Sequence, residues 1–219
     1  MECRRSRPTF WSTLVDMYVI QFTGKLMVKR VFFSFHYQDV IDFRANVVRN
    51  HWVAKDDRED AGFFDASIWE ESKKKGTTAL KKLIHDGLEN TTNTCVLIGS
   101  QTYARPWVRY EIFYSIWRGN HVFGVHINQI KGKDGKIKAN GPNPFDYLAL
   151  KYTADGKSVE PMEAKDGKWI PFAEFGAYEL RQVAPEGRWG KTVSLSSVGY
   201  KTYCWSADDG YNSFANWVK

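Results

Sequence analysis

Cysteine is scarce in this 219-residue chain: Cys3, Cys95 and Cys204 are its three, and no two form a C-x-x-C pair. That spacing argues against a zinc site or a disulfide framework and suits a reducing cytosol. Long apolar runs are missing too. The opening MECRRSRPTFWSTLVDMYVIQF sets basic residues before apolar ones, as a signal peptide would, but Ser12, Thr13 and Asp16 interrupt it. No small-residue cleavage site follows. The stretch is too short and too polar to span a bilayer. Residues 1–26 are therefore read as an extra leader, with the domain proper starting at Met27; an amphipathic segment for a membrane surface or a partner is the other reading. A cytoplasmic protein without a membrane partner is expected.

A strong excess of one charge is also absent. Net charge is +6, of which the leader supplies +2 through Arg4, Arg5, Arg7 and Lys25 against Glu2 and Asp16. The mild remainder fits an anionic small ligand and argues against nucleic acid as a partner. Several catalytic signatures are missing. There is no G-x-x-x-x-G-K-[ST], no H-E-x-x-H, no G-x-S-x-G and no Cys/His nucleophile arrangement. No metal site and no bound cofactor are expected. Asp208-Asp209-Gly210 lacks the spaced carboxylates of a calcium loop and reads as the cap of a short terminal helix packing Phe214 and Trp217.

What is abundant is aromatic: 16% of residues, nine of them Trp, within a hydrophobic fraction of 43%. The chain suits one α/β domain, or one with an elaboration. Residues 30–35 (RVFFSF), Thr94–Gly99 and residues 121–127 (HVFGVHI) read as buried strands. Cys95 lies inside the second as a core thiol. A helix is predicted over VIDFRANVVRNHW, with Asp39 as its N-cap. A second follows Thr77 or Thr78, with Leu80, Leu83, Ile84 and Leu88 on one face. A third runs from Pro106 to Gly119-Asn120. Residues 53–76 read as a charged loop with at most a short strand or turn. Strands alternating with helices predict an α/β sandwich of three layers around a mostly parallel sheet. After residue 130 the pattern changes. Asp-Gly-Lys recurs at 134–136, 155–157 and 166–168, each a hairpin-turn signal. The expected organisation is an α/β core over 27–130 and a hairpin-rich elaboration over 131–219 packed on the same domain.

In such a sheet, ligands bind beyond the carboxyl ends of the strands, near the point where strand order reverses. SFHYQD follows the first strand and SQTYARPWVRYE the second. Phe35, His36, Ser100, Trp107 and Glu111 are thereby predicted to line one crevice. Trp107 and Glu111 are four apart, so they share a helix face. A carboxylate beside an indole can stabilise a sugar ring that becomes cationic, as in N-glycosidic cleavage. Nicotinamide leaves NAD as a neutral molecule, so one carboxylate suffices where ordinary glycosidases need two. Aromatic walls would stack on nicotinamide or adenine. From spacing alone, an ion pair with Arg109 or Arg118, or plain solvation, is the more ordinary role for a helical glutamate. His36 alone suits a turn. Arg105 and Arg109 suit either phosphates or the surface.

RVFFSFHYQDVIDFRANVVRNHW, followed by TCVLIGSQTYARPWVRYEI, resembles the TIR-like family of bacterial antiphage proteins that serve Thoeris defence. The resemblance runs from Met27 to the C-terminus and includes GPNPFDYL and SADDGYNSFANWV. RVFFSF resembles the first TIR box, and WVRYEI the motif of a tryptophan followed by a glutamate that catalytic TIR domains require for NAD cleavage. Those two residues fall on Trp107 and Glu111. The resemblance implies a flavodoxin-like/TIR-like fold and an enzyme that takes NAD as substrate and releases nicotinamide. It implies closure of the remainder into a cyclic ADP-ribose isomer, a second messenger for a partner effector. Phe35, His36 and Asp65–Trp69 are then candidates for the pocket walls. The usual second-box loop is not recognisable in residues 53–76, so assembly modes of eukaryotic TIR scaffolds do not carry over. Two other readings stay open. One is a non-catalytic scaffold that self-associates through exposed aromatics. The other is a nucleotide or nucleic-acid binder using the basic loop 129–140.

Overall fold

The structure is a computed structural model that describes residues 29–63 and 66–219. The expected leader, 1–26, and Asp65 of the candidate pocket wall lie outside the described residues. The described chain opens with β1 (Lys29–Ser34), α1 (Tyr37–Ile41) and α2 (Arg44–Val53). It continues through β2 (Arg58–Ala61), α3 (Ala66–Lys75), α4 (Thr77–Leu88), β3 (Asn93–Ile98), α5 (Pro106–Arg118) and β4 (His121–His126). A second sheet follows, built from β5 (Leu148–Tyr152), β6 (Ser158–Lys165), β7 (Lys168–Pro171), β8 (Tyr178–Glu179) and β9 (Thr192–Ser194). Then α6 (Leu195–Val198), β10 (Thr202–Cys204) and α7 (Gly210–Trp217) return to the first sheet.

That first sheet has the order β2-β1-β3-β4-β10, and every pair in it is parallel. This is the flavodoxin-like order, with β10 as its fifth strand. β3 lies at the centre, and all six of its residues are buried. That explains the apolar run Cys95–Ile98 within it. β5, β6, β7 and β9 pair antiparallel in a separate sheet. The change of sheet type falls near residue 130. Even so, β10 and α7, far beyond that point, complete the first sheet and its cover. Among the described residues no helix is long and apolar enough to cross a membrane.

Strand alternation divides the core in two. Val31 and Phe33 of β1, with Cys95 and Leu97 of β3, face α2 and α7, where Phe214 is fully buried against Phe33, Trp52 and Phe123. Phe32, Val96 and Ile98 face α4 and α5, and Leu148, Leu150 and Val159 of the second sheet join that core. α5 is thus held from two sides. Its Phe113 ring lies 5.3 Å from that of Phe172, and its Arg109 is ion-paired with Glu163 of β6.

Four expectations are corrected. The single helix after β1 is broken at Phe43, which has φ 64°. The break accompanies Arg44, which is buried and must find partners; it donates to the Ile130 carbonyl at 3.0 Å and the Lys136 carbonyl at 2.8 Å. Asp39 is not an N-cap. It is buried inside α1, whose N-cap is His36. Residues 53–76 are not mostly loop: they hold β2 and α3. β2 reads REDA because it is an edge strand, where charge blunts unwanted pairing. Finally, Asp155-Gly156 and Asp166-Gly167 join β5 to β6 and β6 to β7, but Asp134-Gly135 turns without flanking strands.

Candidate functional site

The alternation that sends Phe32 toward α5 sends Ser34 there too. Its hydroxyl donates to Glu111 Oε2 at 2.5 Å. Pro106 opens α5, and Trp107 and Glu111, one turn apart, face the same cavity. Glu111 is 6% exposed. Burial raises its carboxyl from an ordinary 4.5 to about 8, and the Ser34 hydrogen bond opposes that rise. Neither cation considered for Glu111 pairs with it. Arg109 is committed to Glu163 and the Tyr103 carbonyl. Arg118 Nε is buried without a hydrogen-bond partner among the described residues.

The cavity has a volume of about 350 Å³, within the range of small-molecule sites (roughly 300–1,000 Å³). Glu111 contributes to it from α5, Phe35 and His36 from the β1–α1 turn, Trp107 and Arg105 from the start of α5, and Trp69 from α3. Phe35 is propped by Phe63, their ring centroids 4.4 Å apart. His36 is held below its usual pKa, first by burial and then by the nearby Arg105 guanidinium, and is neutral at pH 7. Gly62 forms part of the wall. Its φ is +88°, and a Cβ there would stand 2.3 Å from the Phe33 carbonyl oxygen.

Four of the five residues predicted for the crevice, Phe35, His36, Trp107 and Glu111, come together in this cavity. Ser100 does not. It is exposed at the tip of β3, and its hydroxyl accepts from Asn128 Nδ2 at 2.9 Å. Asn128 also donates to the Ala139 carbonyl, drawing the loop after β4 over Gly99 and Ser100, where Gly141 packs directly on the backbone. The crevice therefore opens on the β2 side of β1, between α3 and α5. Within Asp65–Trp69, Trp69 lines the cavity and Ile68 is exposed. Sequence reasoning passed over Ser34. The signal was one hydroxyl in the otherwise apolar VFFSF, at the parity of Phe32.

Chemically, the cavity presents one carboxyl that has no counter-ion, sits out of water and is flanked by indole and phenyl rings. Burial favours the protonated form of such a group, and a cation beside it favours loss of that proton. Comparison with known proteins agrees with this geometry. Residues 32–131 match the family described as "Thoeris protein ThsB, TIR-like domain". Over 192 residues the chain is 59% identical to "Putative cyclic ADP-D-ribose synthase ThsB1" of Bacillus cereus (strain MSX-D12), an alignment that spans 88% of this chain and 100% of that protein. The chain belongs to the Thoeris ThsB family of TIR-like proteins.

Proposed function

We propose that the protein cleaves the bond between nicotinamide and ribose in NAD and closes the ADP-ribose remainder into a cyclic isomer. The observation that carries this reading is Glu111: a buried carboxyl, hydrogen-bonded to Ser34 alone among the described residues, in an aromatic-lined cavity. The activity in the name of the Bacillus cereus relative supports it.

NAD presents a positively charged nicotinamide ring on its ribose. As the C1′–N bond breaks, the electron pair goes to the ring nitrogen, nicotinamide departs neutral, and positive charge moves to the ribose. An ionised Glu111 offsets that charge. No acid is needed to protonate the leaving group, and none is supplied by His36, which is neutral. Phe35 and Trp107 give stacking faces for the nicotinamide. A nucleophilic atom of the same ADP-ribose then attacks C1′ and loses its proton, which closes the ring. Walls that exclude water favour this attack over hydrolysis. The product is a diffusible messenger, and its receiver is a separate effector protein.

Product analysis by mass spectrometry tests the reading. Wild type incubated with NAD, with infected-cell extract supplied as activator, should release nicotinamide and a cyclic product. Glu111→Gln should abolish release by about two orders of magnitude or more while keeping its fold by circular dichroism. Full release by that variant would remove Glu111 from the chemistry.

A further inference from the structure

Arg105 stands apart from the other arginines near the cavity. It lies at the N-cap of α5 and lines the cavity with Trp107 and Glu111. Its Nε is shielded from water and has no hydrogen-bond partner among the described residues. Its guanidinium forms no ion pair among them either. Arg109, one turn on, is by contrast fully engaged with Glu163 and the Tyr103 carbonyl. A half-buried guanidinium left without an anion is costly unless a ligand supplies one. Arg105 is close enough to His36 to disfavour a second proton there, so its field reaches into the cavity. Lys73 and Glu70 of α3 line the same cavity, 3.7 Å apart, and offset each other, so Arg105 is the cation there without an anionic partner among the described residues.

The cavity is therefore polarised. One region holds an acid that favours a cation; another holds a guanidinium that lacks an anion. NAD has the same polarity along its length: a cationic nicotinamide riboside, then a diphosphate. We propose that Arg105 holds the diphosphate of the dinucleotide and so fixes the nicotinamide end against Glu111. The planar fork of arginine matches phosphate oxygens in a way that a lysine cannot. This assignment rests on the NAD-cleaving reading for the identity of the substrate. Arg105 is a positioning residue: it grips the part of the molecule that does not react.

The test uses Arg105→Ala and Arg105→Lys in the full chain, with folding checked by circular dichroism. Calorimetric titration with ADP-ribose, which carries the diphosphate without nicotinamide, is the first arm. Affinity should fall about tenfold or more in Arg105→Ala, recover in part in Arg105→Lys, and persist in Glu111→Gln. Equal affinity in wild type and Arg105→Ala, or no binding by wild type, overturns the assignment. Nicotinamide release from NAD and from nicotinamide riboside is the second arm. Arg105→Ala should raise KM for NAD by a similar factor, with kcat little changed, and leave KM for the riboside within about twofold. Equal losses for both substrates also overturn it. Failure of Glu111→Gln to reduce release would instead sink the underlying reading, whatever ADP-ribose does.

Discussion

Replacing Glu111 by glutamine exchanges a carboxyl for an amide of the same shape and keeps an acceptor for Ser34. The folded protein retains the Glu111 proton up to about pH 8, whereas the ordinary value is 4.5. A raised carboxyl pKa means that the native state binds the proton more tightly than the unfolded chain does. Stability is therefore full below about pH 4.5 and declines as pH rises, with the loss complete above about 8. At ~1.4 kcal/mol per pH unit, that interval corresponds to at most about 5 kcal/mol. Glutamine carries no such proton. The stability of the variant minus that of wild type should be flat in acid and climb by several kcal/mol between pH 5 and 8, on the order of the linkage limit. Asp39 also titrates high, at about 6, but it is common to both proteins and cancels in the difference. Urea unfolding followed by tryptophan fluorescence at intervals from pH 5 to 9 measures it. A difference that stays constant over that range would show that Glu111 is ionised in the native state throughout, and would refute the account of a neutral, buried acid.

The pH profile of kcat/KM for nicotinamide release should rise through about pH 8 as free Glu111 ionises; in Ser34→Ala, which loses the hydrogen bond favouring the ionised form, the midpoint should move higher. A profile flat from pH 6 to 9 in wild type contradicts this. Gly62→Ala places a Cβ 2.3 Å from the Phe33 carbonyl at a φ of +88°, so it should cost about 2 kcal/mol or more by urea midpoint; a wild-type midpoint would show that this wall is not rigid. Phe214→Ala empties a fully buried ring site in the aromatic core and should cost about 3–5 kcal/mol, read as a lowered thermal midpoint.

The parts of the fold that could be read from sequence are those whose residues serve one purpose. β3 is apolar because both its faces are covered, and α5 announces itself through Pro106 and Gly119, the latter at φ 85°. β2 and α3 are less legible: residues 53–76 read as a loop with at most a short strand or turn, and the helix was not foreseen. An edge strand needs a partner for its backbone but wants charge on its side chains, so REDA shows no strand period. The break at Phe43 depends on Arg44 meeting carbonyls of residues 130 and 136, far along the chain, which no local pattern encodes. The same distinction divides the site. Trp107 and Glu111 are set by helix spacing and could be placed from sequence. Ser100 sits at a strand tip, as predicted, yet it stays exposed outside the cavity, tied by Asn128 to the loop after β4. Whether a strand tip is open or closed depends on where a distant loop comes to rest.

The solitary state of Glu111 gives the site its chemical sense. A permanently ionised carboxylate at 6% exposure would need a resident counter-ion. A resident arginine would then compete with any cationic substrate. The structure instead commits Arg109 to Glu163 on the far side of α5 and, among the described residues, leaves Glu111 only a hydroxyl. The empty site avoids buried charge by holding a proton. A ligand that brings its own positive charge makes ionisation more favourable as it binds, so at neutral pH the carboxylate is promoted by the cation it faces. On the proposed reading, that coupling favours the nicotinamide end of a dinucleotide over neutral sugars of similar size. It also explains why a neutral His36 belongs beside it, since a second proton there would repel the charge that the ribose acquires.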